Sequence, residues 1–179
     1  MNEQAIILLF RLLIGVFLLR VWMQLARVDY YNPVTNRFVS TLSPLVDGLG
    51  TIVRPIGNVN LAALLLALCL GAGGMAVLFP SGDPLSWLIG GAALLISVAL
   101  AMVFWILLAM VIASWVISAQ NPWHQLMRQL MRPIMAPIQR VIPNLGGLDF
   151  SPIVVFLGVQ LIRGVVETRL FLLSGLGGL

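Results

Sequence analysis

Residues 85–118 run for 34 positions without a charged side chain. As one helix they would reach about 51 Å, against a hydrocarbon core of about 30 Å. A stretch this long and this apolar belongs in a bilayer, and something in it must bend or lie flat. Gly90-Gly91 is the expected break, because glycine weakens a helix interior. That leaves a span over 92–116, with Trp87 near the headgroups and Trp115 and Trp123 at the opposite interface. With 60% hydrophobic and 9% charged residues and a mean hydropathy of +1.06, the whole chain follows this segment. The sequence therefore predicts an all-α membrane protein.

Three further apolar runs fit as spans. Residues 5–26 are interrupted only by Arg11, Arg20 and Gln24. They lack the basic start, shorter apolar core and small-residue cleavage site of a secretory signal, so they are read as a retained helix. Arg11 and Arg20 can snorkel to an interface, or one of them can pair inside the bundle. Residues 59–79 form the next run, with Asn60 as its candidate cap and Gly71, Gly73 and Gly74 offering a surface for close helix contact. Residues 150–166 form the last, with Arg163 as their one charge. About four transmembrane helices are expected.

Between the first two spans lies a mixed segment. Asn32-Pro33 reads as an N-cap followed by the first helical residue. Val34, Phe38, Val39 and Leu42 then recur at helical spacing, and after Pro44 so do Leu45, Val46, Leu49, Ile52 and Val53. Two short interfacial helices within 33–54 are expected. Residues 122–142 carry a comparable amphipathic segment between the last two spans. Trp123, Leu126, Met127, Leu130, Met131, Ile134 and Met135 share its apolar stripe, and Arg128, Arg132 and Arg140 supply the charge. Such a segment suits anionic lipid headgroups, and its methionines suit a membrane-protein partner.

The two halves repeat each other. Asn121-Pro122 falls 89 residues after Asn32-Pro33, and at that offset Pro44 matches Pro133, Gly57 matches Gly146, and Leu68 matches Leu157. A duplication is expected, with repeat 1 over 1–84 and repeat 2 over 85–179, each holding two spans and an interfacial segment. An even number of passes per unit makes the repeats parallel.

The hinge into the last span is Pro143, Asn144, Gly146 and Gly147, which break regular structure. Asp149 and Ser151 can accept hydrogen bonds from the free amides of a helix whose first turn takes Pro152. Asp149 is either a cap or a buried carboxylate serving an ion path or a partner. Within that span Gln160 and Arg163 are the polar positions, and Glu167 follows Arg163 by one turn. An Arg163–Glu167 or Arg11–Glu167 contact would be structural glue, and a proton or ion relay is the alternative.

All ten basic residues are arginine, giving a net charge of +4. Arg27, Arg37, Arg54, Arg128, Arg132 and Arg140 fall in the two interfacial segments and none in the turn from Pro80 to Pro84. By the positive-inside rule those segments face the cytoplasm and the termini the other side.

Residues 132–160, and within them Gly146-Gly147-Leu148-Asp149-Phe150-Ser151-Pro152, resemble the signature of the YggT family of bacterial inner-membrane proteins. The two-repeat layout resembles its longer proteobacterial members. The resemblance implies an integral inner-membrane protein. It also points to roles that relatives are linked with: osmotic-shock tolerance, cell division or envelope organisation, and in a chloroplast branch haem attachment to a b-type cytochrome. The first repeat departs from the signature, with Asn60-Leu61-Ala62-Ala63 in place of Asp149-Phe150-Ser151-Pro152.

Chemistry-bearing constellations are scarce. His124 is the one histidine and Cys69 the one cysteine. A side-chain zinc or iron cluster within one chain is excluded, and no cofactor is expected. There is no nucleotide or nucleophile-elbow fingerprint and no acid pair at catalytic spacing, so the reading is not an enzyme. Nucleic acid is not an expected partner either. Two functional classes remain: a membrane scaffold or assembly factor, possible as a homo-oligomer, and an ion channel or transporter subunit formed by oligomerisation.

Overall fold

The computed structural model describes residues 3–50, 61–141 and 150–173, with side chains described for 3–44, 61–141 and 150–166. Six helices follow in order: α1 (Glu3–Leu25), α2 (Pro33–Gly50), α3 (Leu61–Leu78), α4 (Pro84–Val116), α5 (Pro122–Val141) and α6 (Ser151–Leu173). Among the described residues there is no strand. Helices α1, α3 and α4 are long and apolar enough to cross a membrane, whereas the described side-chain portion of α6 is apolar but shorter. Lipid supplies no water to a backbone, so only segments that satisfy their own amides can cross it.

Helix α4 runs unbroken through Gly90-Gly91 to Val116, contrary to the expected break. The reason lies in α3. A Cβ on Gly91 would meet the Ala72 amide nitrogen at 2.4 Å and the Gly71 carbonyl carbon at 2.7 Å, and one on Gly71 would meet the Gly91 carbonyl oxygen at 2.7 Å. The bare Cα atoms let two backbones touch. Gly74 instead makes room for a side chain of α1, its Cβ position lying 2.9 Å from the Phe10 ring. Gly73 has nothing within 4 Å and takes no part. In lipid, helix association rests on such van der Waals fit more than on apolar burial. Around this seam Ile14, Leu18, Ala63, Ala67, Met75 and Leu94 form one core.

A tight turn joins α3 to α4. The Trp87 indole N–H donates to the Phe79 carbonyl at 2.9 Å, and the Gly82 amide donates to the same oxygen at 3.0 Å. A Cβ on Gly82 would come within 2.7 Å of Trp87 Nε1, so the indole fits only over glycine.

Helix α1 ends in a Schellman motif. The Val28 amide donates to Met23 and the Arg27 amide to Gln24, both at 3.1 Å, with Arg27 at φ 50°. Val28 and Met23 pack together as that motif favours.

Where two short helices were expected within 33–54, one helix spans the described part. Residues 33–50 form one helix through Pro44, and 122–141 form one through Pro133 and Pro137. Each proline removes the donor to the carbonyl four residues earlier. All three prolines are exposed, so the freed carbonyls can find water or headgroups and the helix continues.

Candidate functional site: an arginine-bearing groove

Helix α5 is placed by its start. Asn121 caps it: the side-chain oxygen accepts from the Trp123 amide at 3.0 Å and the carbonyl from Gln125 at 3.0 Å. Asn32 caps α2 in the same way, through the Val34 amide at 2.9 Å and the Asn36 amide at 2.9 Å. Both Asn-Pro pairs act as the sequence predicts. Asn32 also reaches across, its Nδ2 donating to the Pro122 carbonyl at 2.8 Å.

Two more long-range bonds hold α5 against the end of α1. The Trp22 indole donates to the Leu130 carbonyl at 2.8 Å, and the Asp29 amide donates to Gln129 Oε1 at 2.9 Å. Each contributes about 1 kcal/mol. The apolar stripe does the rest. Leu126 and Leu130 bury against Met23 and Val28, while Met131 and Met135 bury against Val103, Leu107, Met110, Val155 and Val159.

This corrects one expectation. Met131 is fully buried and Met135 is 7% exposed, so neither is available to an outside partner. Met127 is half-buried against the same core. What α5 leaves outside is Trp123, Arg128, Arg132 and Arg140. Among the described residues none of these arginines has a carboxylate partner.

Arg128 and Arg132 line a groove of about 1170 Å³ between α5, the C-terminal half of α4 and the start of α6. One wall is polar, with Gln125, Gln129 and His124 beside the arginines. The other is apolar, made by Leu108, Val111, Ile153, Phe156 and Leu157. His124 is 7% exposed, and its Nδ1 has no hydrogen-bond partner. A buried polar atom left in this state costs about 1–3 kcal/mol. Sequence reasoning noted His124 only as the one histidine. The missed signal is its spacing: His124, Arg128 and Arg132 recur every four residues, which stacks them on one helix face.

The hinge residues are only partly in view. Gly146, Gly147 and Asp149 lie outside the described residues, as does Asn60 at the start of α3. Ser151 is the first residue of α6 and fully buried, so the cap position falls to Phe150, whose carbonyl accepts from Ile153 at 3.1 Å and Val154 at 3.3 Å. Pro152 takes the first turn as expected and lines the groove.

The intramembrane polar residues separate into three places. Arg11 and Arg163 both line a second groove of about 590 Å³ bounded by α1, α4, α5 and α6, and the buried Nε of Arg11 has no hydrogen-bond partner. Arg20 is 8% exposed, with Nη1 donating to the Tyr30 hydroxyl at 3.4 Å. Gln160 is exposed on α6, and the Glu167 side chain lies outside the described residues. Among the described residues no group of three metal-ligating side chains occurs.

Three membrane-length apolar helices, a shorter apolar one and an amphipathic arginine helix define an all-helical membrane protein. The chain belongs to the CCB3/YggT family, whose match covers residues 89–170. A Vibrio alginolyticus protein described as uncharacterized and in the proC 3′ region is 38% identical over 168 residues, covering 89% of this chain and 91% of that one. The uncharacterized YggT of Escherichia coli K12 is 36% identical over 155 residues, covering 85% and 82%. An uncharacterized Pseudomonas aeruginosa protein is 34% identical over 176 residues, covering 90% and 85%. No solved structure matches.

Proposed function

We propose that the chain is a non-enzymatic scaffold of the bacterial inner membrane, an assembly or stress-tolerance factor in osmotic shock, envelope or cell-division organisation. In this reading α6 is a fourth span, α2 and α5 lie on the cytoplasmic surface, and the termini face the periplasm. The two halves are parallel repeats. Support for duplication comes from matched order: α1 packs on α3 as α4 packs on α6, and α2 meets α5 across the two halves.

One observation carries the scaffold reading. Helix α5 is fixed to the bundle through its apolar face and three hydrogen bonds, yet presents Arg128, Arg132 and Arg140 outward with no acid on the same helix. A rigid cationic surface of this kind suits anionic headgroups and a membrane partner seated beside them. The alternative, an ion channel or transporter subunit, draws on the Arg11 and Arg163 groove.

Two measurements test these readings. In-cell crosslinking from Trp123 and Arg140 positions is expected to capture one reproducible membrane partner, while reconstituted vesicles stay tight to potassium and protons. Flux through those vesicles that Arg11→Gln or Arg163→Gln abolishes would replace the scaffold with a conduit. Accessibility tags at positions 36 and 125 on opposite sides of the membrane would end the parallel arrangement.

A further inference from the structure

The groove between α4, α5 and α6 is too large and too divided in polarity to be explained by a lipid-facing surface alone. Its polar wall stacks His124, Arg128 and Arg132 at one-turn intervals, about 12 Å from first to last along the helix. Neither arginine has a described acidic partner, and His124, more than nine-tenths buried, has an unsatisfied ring nitrogen. All these features call for an anion with several acceptor oxygens. The facing wall calls for something else. Val111, Ile153, Phe156 and Leu157 are apolar, and Ile153 and Leu157 are 56% and 57% exposed.

We propose that this groove is a one-to-one site for an anionic phospholipid of the leaflet that α5 faces. Its phosphate sits among Arg128, Arg132 and His124, and an acyl chain lies along α4 and α6. The inference rests on the reading of α5 as a membrane-surface helix and goes beyond it, from diffuse attraction to a built site. A free phosphate would leave the apolar wall uncovered. A lipid satisfies both walls at once, and about 1170 Å³ exceeds the roughly 300–1000 Å³ of ordinary small-ligand sites.

The test uses the full chain, delipidated in detergent and titrated with phosphatidylglycerol or phosphatidylcholine under native mass spectrometry. One phosphatidylglycerol per chain is expected, bound at least about tenfold more tightly than phosphatidylcholine. Arg128→Gln with Arg132→Gln should erase that preference, and Leu157→Trp should weaken both lipids by crowding the wall. Arg27→Gln with Arg37→Gln, exposed and outside the groove, should leave it intact within about twofold. His124→Phe probes the imidazole. Should it not fold, the exposed arginine pair carries the test.

Four results would overturn the site: no preference between the lipids, equal loss in the two arginine pairs, displacement of the lipid by inorganic phosphate, or a roughly tenfold gain in lipid affinity on Asp149→Asn. Equal loss would mean diffuse charge, and the gain would mean that the chain's own carboxylate fills the groove. None of these touches the scaffold reading, which fails by flux or by crosslinking instead.

Discussion

At α3 the chain places Gly71 and Gly74, and 89 residues later, at α6, it places Gln160 and Arg163. The first pair brings α3 against the α4 backbone and the Phe10 ring of α1. The second pair has side chains too long and too polar for such contact. Around α6 there is open volume on both sides, the lipid-sized groove toward α5 and the arginine groove toward α1. In a bilayer, where apolar side chains gain little by leaving lipid, a bare Cα decides whether two helices close or stay apart. The backbone seam thus lies between α3 and α4, and the two grooves lie beside α6.

The sharpest way to break this comparison is to add bulk on each side. Gly91→Leu should leave little or no folded protein by size-exclusion profile, since its Cβ meets backbone at 2.4 Å and backbone cannot step aside. Gly158→Leu on α6, with nothing within 4 Å, should fold as the parent does. If both variants fold equally, the seam is not what holds α3 against α4.

The core beneath α5 comes next. Met131→Ala should cost about 2–5 kcal/mol in thermal or denaturant unfolding, because Met131 is fully buried between α4 and α6. Trp22→Phe keeps the ring and removes the donor to Leu130, and should cost about 1 kcal/mol. A larger loss would show that α5 depends on that one bond more than on its stripe.

The smallest effect lies at the turn. The Ser86 hydroxyl hydrogen bond to Asp83 holds that carboxyl below the usual carboxylate range. A depressed folded value stabilises above the ordinary carboxylate value and is lost as pH falls through the folded one. Ser86→Ala should therefore lower the melting midpoint slightly at pH 7, and the difference should fade as pH falls through that depressed value. Asp83 is fully exposed, so a large shift would mean that the turn is coupled to the seam.

Much of this architecture was readable from residue order. Asn32-Pro33 and Asn121-Pro122 announced two helix starts because an amide side chain and a ring without a donor suit the same junction. Gly90-Gly91 misled, since glycine both weakens a helix and permits close approach, and only the partner helix decides which applies. Pro44 misled for a related reason, and Pro133 and Pro137 likewise leave α5 continuous. A missing donor ends a helix where the freed carbonyl is buried, and here the prolines face outward. The methionines at 131 and 135 gave no sign of which neighbour would cover them. His124 was visible in its four-residue spacing from Arg128, but its unsatisfied nitrogen depends on burial that no spacing reveals.

The bond from Asn32 to the Pro122 carbonyl has a mechanical consequence. It ties the start of α2 to the start of α5, while Trp22 and Asp29 tether α5 to the end of α1 and the turn after it. A displacement of either helix start would therefore be passed to the other directly, without going through the glycine seam.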